Sequence, residues 1–130
     1  MKILVVDDER DVEMLFRQRF RKEIRSGEID LVFRFSAEDA LHYLHEDGRT
    51  DVVLVLSDIN MPGITGLELL CRIKSEPPPV PVCMMTAYEN NLHRERAAEC
   101  GCDGYLTKPL DFGALKARIR NIALRSPDPA

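Results

Sequence analysis

Several things are scarce in this chain of 130 residues, and each scarcity narrows what it does. Basic residues are not in excess: 18 Lys and Arg against 22 Asp and Glu leave a net charge of −4. A nucleic-acid binder normally presents a basic face, so direct contact with nucleic acid is disfavoured. No stretch approaches the ~20 apolar residues of a membrane span, which argues against membrane insertion. The N-terminus meets Asp7 and Asp8 after the short run Ile3 to Val6, too few apolar residues for a signal-peptide core. A reducing cytoplasm is the expected compartment. The four cysteines, Cys71, Cys83, Cys100 and Cys102, have neither the spacing of paired zinc knuckles nor that of a secreted disulfide framework. Cys71 and Cys83 fall inside apolar segments, where a free thiol behaves as a small hydrophobe. All four are expected to be reduced and structural. His42 and His45 lie three apart with no third ligand in view, so a solvated helix face is expected there rather than a metal. No repeat, second domain or long linker interrupts the chain.

What remains is a regular alternation. Hydrophobic residues make up 45% and charged residues 31% of the chain, the balance of a globular domain. Short apolar runs at Ile3 to Val6, Leu31 to Phe35, Val52 to Leu56, Val82 to Met85 and Gly104 to Leu106 are expected strands. Between and after them apolar residues recur at three and four, the period of amphipathic helices. Val12, Leu15, Phe16, Phe20 and Ile24 mark the first, and Ala40, Leu41 and Leu44 the second, with Ser36 as its N-cap. Leu67, Leu70 and Ile73 mark the third, ended by Pro77, Pro78 and Pro79. A polar fourth helix from about Asn91 to Cys100 stops at Gly101, a plausible C′ glycine. Phe112, Leu115, Ile119 and Ile122 stripe the fifth. Five βα units imply an α/β domain, a doubly wound parallel sheet with helices on both faces. The domain is expected over residues 2–124, with a flexible tail at 125–130.

The informative residues sit just past the strand ends. Asp7 and Asp8 follow the first run, Ser57 and Asp58 the third, Thr86 the fourth, and Thr107 and Lys108 the fifth. In an open parallel sheet these positions share one edge, where ligands bind. Carboxylates about 4 Å apart at an effective dielectric near 20 repel by roughly 4 kcal/mol. Asp7, Asp8 and Asp58 converging there therefore require a compensating charge. A divalent cation with a preference for oxygen, Mg²⁺, fits carboxylates better than zinc, which prefers histidine and thiolate. A carboxylate beside Mg²⁺ and an ammonium can attack phosphorus and form an aspartyl phosphate. Lys108 and the Thr86 hydroxyl would then address the remaining phosphoryl oxygens.

At these residues the chain resembles a family. Val5-Val6-Asp7-Asp8-Glu9, Ser57-Asp58-Ile59-Asn60-Met61-Pro62-Gly63, Met85-Thr86-Ala87 and Tyr105-Leu106-Thr107-Lys108-Pro109 are similar to the receiver domain of two-component response regulators, over roughly residues 2 to 124. The resemblance implies strand order 2-1-3-4-5, the flavodoxin-like topology. It implies that Asp58 accepts a phosphoryl group from a sensor histidine kinase or a histidine phosphotransfer protein. Mg²⁺ would be bound by Asp8, Asp58 and the Asn60 backbone carbonyl, with Asp7 acting largely through water. Lys108 would contact the phosphoryl group, and the Lys108–Pro109 peptide would be cis. Thr86 and Tyr105 would form the switch. Such a domain is not a conventional enzyme, although it catalyses its own aspartyl phosphorylation and dephosphorylation. Its signal would pass through the fourth helix, fifth strand and fifth helix to a separate effector, or through that surface into a homodimer.

Two other classes stay open at this point. A phosphohydrolase that uses an aspartyl phosphate resembles a DxD pattern after the first strand, whereas this chain has adjacent Asp7-Asp8 and a lone central Asp58. A pseudo-receiver that only binds partners would normally lack an acidic residue, the threonine or the lysine, and none is missing. The stretch Pro77 to Pro81 contains a PxxP spacing at Pro78 and Pro81 and is expected to be a connector loop. The charges at Arg94, Glu95 and Arg96 are either a partner surface beside Tyr105 or a solvated helix face.

Overall fold

Five parallel strands form one sheet in the computed structural model, which describes residues 1–88 and 90–125. The strands are β1 (Lys2–Val6), β2 (Asp30–Arg34), β3 (Val52–Asp58), β4 (Val82–Thr86) and β5 (Gly104–Thr107), in the order β2-β1-β3-β4-β5. The topology matches the expected 2-1-3-4-5. Among the described residues six α-helices cover the faces: α1 (Asp11–Arg19), α2 (Arg21–Ser26), α3 (Ala37–Tyr43), α4 (Gly66–Ser75), α5 (Asn91–Glu99) and α6 (Phe112–Arg125). The fourth and fifth helices read from the sequence are thus α5 and α6.

Strand alternation sends side chains into two cores. Ile3, Val5, Leu54, Leu56, Cys83 and Met85 face α1, α2 and α6, where Phe16, Phe20, Leu115 and Ile119 complete the layer. Leu4, Val6, Val55, Val82 and Met84 face the opposite layer, with Ala40, Leu69, Leu70, Ile73 and Ala97 from α3, α4 and α5. The central strand β3 is buried on both sides except at Val53, which is why it reads as an unbroken apolar run. Its last residue, Asp58, is carried to the sheet edge by that rigid support.

The helix starts follow the polar residues before them. Ser36 Oγ accepts from Asp39 N at 3.1 Å, Thr65 Oγ1 from Glu68 N at 3.2 Å, and Asn90 Oδ1 from Leu92 N at 2.9 Å. Each satisfies an amide that has no partner within its helix. Gly101 adopts φ +84 after α5, as expected for a residue ending a helix in the left-handed region.

Four sequence expectations are corrected. The first helix is not continuous: Phe20 bends the chain at φ −102, ψ 17. The bend stacks Phe16 on Phe20 and sets Phe112 edge-on to both, with centroids 5.3 Å from Phe16 and 6.0 Å from Phe20. The second strand begins and ends one residue earlier than expected, and the second helix runs on from α3 as a π-helical turn at Leu44–Gly48. Cys71 and Cys100 are joined in a disulfide, while Cys83 and Cys102 are free. The reason is packing: α4 and α5 lie side by side and bring the two Cα atoms to 5.1 Å. Helix α6 extends through Arg125; the rest of the expected tail, 126–130, lies outside the described residues.

His42 and His45 do not converge. His42 pairs with Glu46 at 3.0 Å and His45 with Glu76 at 2.8 Å, all on the surface. No helix among the described residues is long and apolar enough to cross a membrane.

Candidate functional site

The parallel register decides which side chains meet. Val6 is level with Ser57, Asp58 with Met85, and Thr86 with Thr107. Each reactive residue therefore leaves the sheet within one step of its neighbour. Asp7, Asp8 and Asp58 each offer a carboxylate oxygen within 4.8 Å of the other two. Asp7 is 2% and Asp58 6% exposed, while Asp8 is on the surface. Two buried carboxylates beside a third is an arrangement that needs cationic compensation.

Lys108 supplies part of it. Its ammonium donates to Asp7 Oδ2 at 2.9 Å and stands 3.7 Å from Asp58 Oδ2. Burial works against the charged ammonium, but the hydrogen bond to Asp7 and the charges of Asp7, Asp58 and Glu9 outweigh it and raise its pKa. The backbone holds the lysine in place: Lys108 N donates to Thr86 O at 2.7 Å, and the Lys108–Pro109 peptide is cis. Asp7 is fixed from its other side by Glu9 N, which donates to Oδ1 at 3.0 Å.

Asp58 is the carboxyl left short of positive partners. Burial, then the nearby charge of Asp7, push it from 3.8 to about 6; Lys108 opposes them, Asp8 adds to the rise, and the Ile59 amide again opposes. A carboxyl perturbed this way, at the mouth of a site, is a functional candidate on physical grounds.

The other expected residues fall into two groups. Thr86 ends β4 at the same edge and is fully buried. Its hydroxyl donates to Tyr88 O at 2.8 Å and accepts from Tyr88 N at 3.1 Å. Asn60 lies on the exposed loop two residues beyond Asp58. Tyr105 is not at the edge cluster: it sits within β5, half-buried against the α4/α5 layer. The Arg94 guanidinium lies 4.8 Å from its ring centroid, so one of the charges at Arg94, Glu95 and Arg96 packs on the aromatic rather than standing wholly in solvent.

Sequence reasoning passed over Gly66. A Cβ there would collide with the Asp58 carbonyl oxygen, and Gly66 N donates to Ile59 O at 2.9 Å. This close approach of α4 closes the loop under Asp58. The only sequence signal was a glycine following a capping threonine, which many helices share. Beside Lys108, between α1 and the start of α6, opens a cavity of about 280 Å³ lined by Asp7, Leu15, Phe16, Lys108 and Phe112. Leu15 is 41% exposed, and Met14 beside it on α1 is 77% exposed.

Comparison with known proteins agrees with this geometry. The response regulator receiver domain model matches residues 3–120. The chain is 34% identical over 127 residues to the response regulator RppA of a Synechocystis strain, covering 98% of this chain and 52% of the relative. It is 33% identical to the transcriptional regulatory protein TctD of Salmonella typhimurium, covering 97% and 53%. The chain thus spans about half the length of the curated relatives it matches. A receiver domain protein from Clostridium thermocellum superposes with a TM-score of 0.84 at 25% identity, covering 95% of this chain and 94% of that one. The receiver domain of Francisella response regulator 1452 shares the fold with a TM-score of 0.83 at 24% identity, covering 97% and 98%. A sheet edge that gathers three carboxylates and a lysine thus coincides with a family match over most of the sequence, and the chain belongs to the response regulator receiver domains of two-component systems.

Proposed function

We propose that Asp58 is the phosphoacceptor of a Mg²⁺-dependent signalling switch. The observation that carries this reading is the pairing of two buried carboxylates, Asp7 and Asp58, across the single ammonium of Lys108. One positive charge serves two negative ones, and a third lies beside them. An all-oxygen donor set of this kind fits Mg²⁺, which is commonly held by one or two carboxylates together with phosphate oxygens. Asp8, Asp58 and the Asn60 backbone carbonyl would hold the ion, with Asp7 contributing largely through water. When bound, the ion neutralises charge on a phosphoryl oxygen.

The chain's own groups do the rest. A carboxylate oxygen of Asp58 attacks phosphorus, the bond from phosphorus to the donor's histidine nitrogen breaks, and the imidazole leaves with its electron pair and takes a proton. The Lys108 ammonium, already within 3.7 Å of Asp58, moves from Asp7 to a phosphoryl oxygen. Thr86 exchanges its Tyr88 partners for another, and Tyr105 turns into the space released. Hydrogen bonds to a charged group contribute roughly 1.5–3 kcal/mol each. Two or three of them reach the roughly 5.5 kcal/mol that moves an equilibrium from 1:99 to 99:1.

The phosphodonor is a sensor histidine kinase or histidine phosphotransfer protein inside the cell, docking on α1 at the exposed Met14 and Leu15. The output surface is α5, β5 and α6, read by an effector or by a second copy. The test is intact mass after incubation with Mg²⁺ and acetyl phosphate. A receiver gains one stoichiometric, hydroxylamine-labile phosphoryl group, and neither Asp58→Asn nor chelated wild type does. Turnover of many equivalents would make the protein a phosphohydrolase, and no gain would make it a pseudo-receiver.

A further inference from the structure

We infer that Cys71 and Cys100 form a reversible redox modification site, opened and closed by exchange with a low-molecular-weight disulfide such as glutathione disulfide, whose closed form clamps α5 onto α4. The pair is selective in its setting. Cys71 lies within α4 and Cys100 caps α5, and both residues are half-buried, so a small thiol reaches them without unfolding the domain. Cys83 is fully buried in β4, and burial pushes its thiol up to about 12. Cys102, half-buried in the turn before β5, donates its thiol to Gly104 O at 2.7 Å, and burial raises its pKa as well. Thiol–disulfide exchange requires access and thiolate character. Access sets 71 and 100 apart from the buried Cys83, and their juxtaposition across α4 and α5 sets them apart from Cys102.

The clamp acts on a thinly anchored element. Of the nine residues of α5 the buried one is Ala97, and Leu92 is 74% exposed. Asn90 caps the N-terminal end, and the disulfide fixes the C-terminal end. Helices held by few buried apolar contacts open locally at low free energy, so one covalent tie changes the behaviour of α5 more than that of α4. Both tied helices touch residues that the receiver reading uses. Gly66 of α4 packs under the Asp58 carbonyl, and Arg94 of α5 lies over Tyr105.

In closing, one cysteine thiolate attacks a sulfur of glutathione disulfide and releases a glutathione thiolate. The second cysteine thiolate then attacks the protein sulfur of the mixed disulfide and releases the other. Two electrons pass from the cysteines to glutathione disulfide, and the two protons lost by the thiols are taken up by the two glutathiones. Excess glutathione runs the steps in reverse. The effect on signalling rests on the receiver reading above, since it assumes that phosphorylation moves α5; the clamp itself does not.

The test equilibrates the full chain across glutathione buffers, quenches with acid, alkylates the free thiols, and reads intact and peptide mass. Two of the four thiols are expected to disappear together in a linked 71–100 peptide and to return in excess glutathione. Hydrogen exchange over residues 91–99 of the unphosphorylated protein is expected to be roughly tenfold slower in the oxidised form. Cys71→Ser and Cys100→Ser, made separately, both exchange at the reduced rate in every buffer. Linkage to Cys102, a pair that never closes or never reopens, or equal exchange in the two forms overturns the inference. With acetyl phosphate and Mg²⁺, the change in exchange over 91–99 is expected to be several-fold smaller in the oxidised form. Failure of Asp58 to take phosphoryl in the reduced form counts against the receiver reading, while the clamp is judged from the unphosphorylated protein.

Discussion

Replacing Asp58 with asparagine stabilises the protein at neutral pH when divalent cations are absent. The carboxyl is raised from 3.8 to about 6 by burial and by the charge of Asp7. Its folded-state pKa therefore lies above its unfolded one, and between those values the folded chain holds more protons. Stability falls as pH rises through that window. The penalty is absent below the unfolded value and fully present above about pH 6. A rise of roughly two pKa units at 1.36 kcal/mol each amounts to about 3 kcal/mol, and asparagine, which never ionises, does not incur it. Urea unfolding of wild type and Asp58→Asn in chelator, from pH 4 to pH 8, measures the difference directly. The two curves converge near pH 4 and separate by about 3 kcal/mol at pH 7.5, a Tm difference of roughly 10 °C for a domain of this size. Added Mg²⁺ narrows the gap by stabilising wild type, by about 2.7 kcal/mol at a concentration 100 times its dissociation constant. An asparagine variant less stable than wild type at pH 7.5, or an offset that does not change with pH, refutes the electrostatic reasoning.

Other substitutions separate support from chemistry. Lys108→Ala removes the 2.9 Å bond to Asp7 and leaves two buried carboxylates facing each other; it lowers stability by about 1.5–3 kcal/mol in urea unfolding without metal. Gly66→Ala drives a methyl group into the Asp58 carbonyl, so unfolding free energy drops by about 3 kcal/mol or more, or the chain fails to accumulate as folded protein. Thr86→Ala loses both hydrogen bonds to Tyr88 and roughly 1–2 kcal/mol; it still gains phosphoryl at Asp58, but exchange over residues 91–99 no longer responds to it.

Much of the edge was legible because apolar runs end where the strands end. Asp7, Asp8, Thr86 and Lys108 each follow or close such a run, and parallel register does the rest. Asp58 closes β3 for the same reason. The caps at Ser36 and Thr65 are local chemistry, set by residues three apart, but only that at Ser36 was expected. Features that depend on how two elements pack were not legible. The bend at Phe20 goes with the packing of three phenylalanine rings, one of them on α6, which helical period alone does not report. The Cys71–Cys100 bond spans 29 residues and follows from α4 lying beside α5. That Lys108 grips Asp7 more closely than Asp58 is likewise a matter of side-chain reach, since both carboxylates leave neighbouring strands at similar height.

The most direct test locates the acyl phosphate itself. Wild type treated with Mg²⁺ and acetyl phosphate is reduced with borohydride, which converts an aspartyl phosphate to homoserine, and the digested peptides are sequenced by mass spectrometry. Homoserine at position 58 alone, and its absence when Mg²⁺ is chelated, is the predicted result. Homoserine at position 7 or 8, or an unmodified aspartate at 58 in protein that has consumed the phosphodonor, contradicts the account.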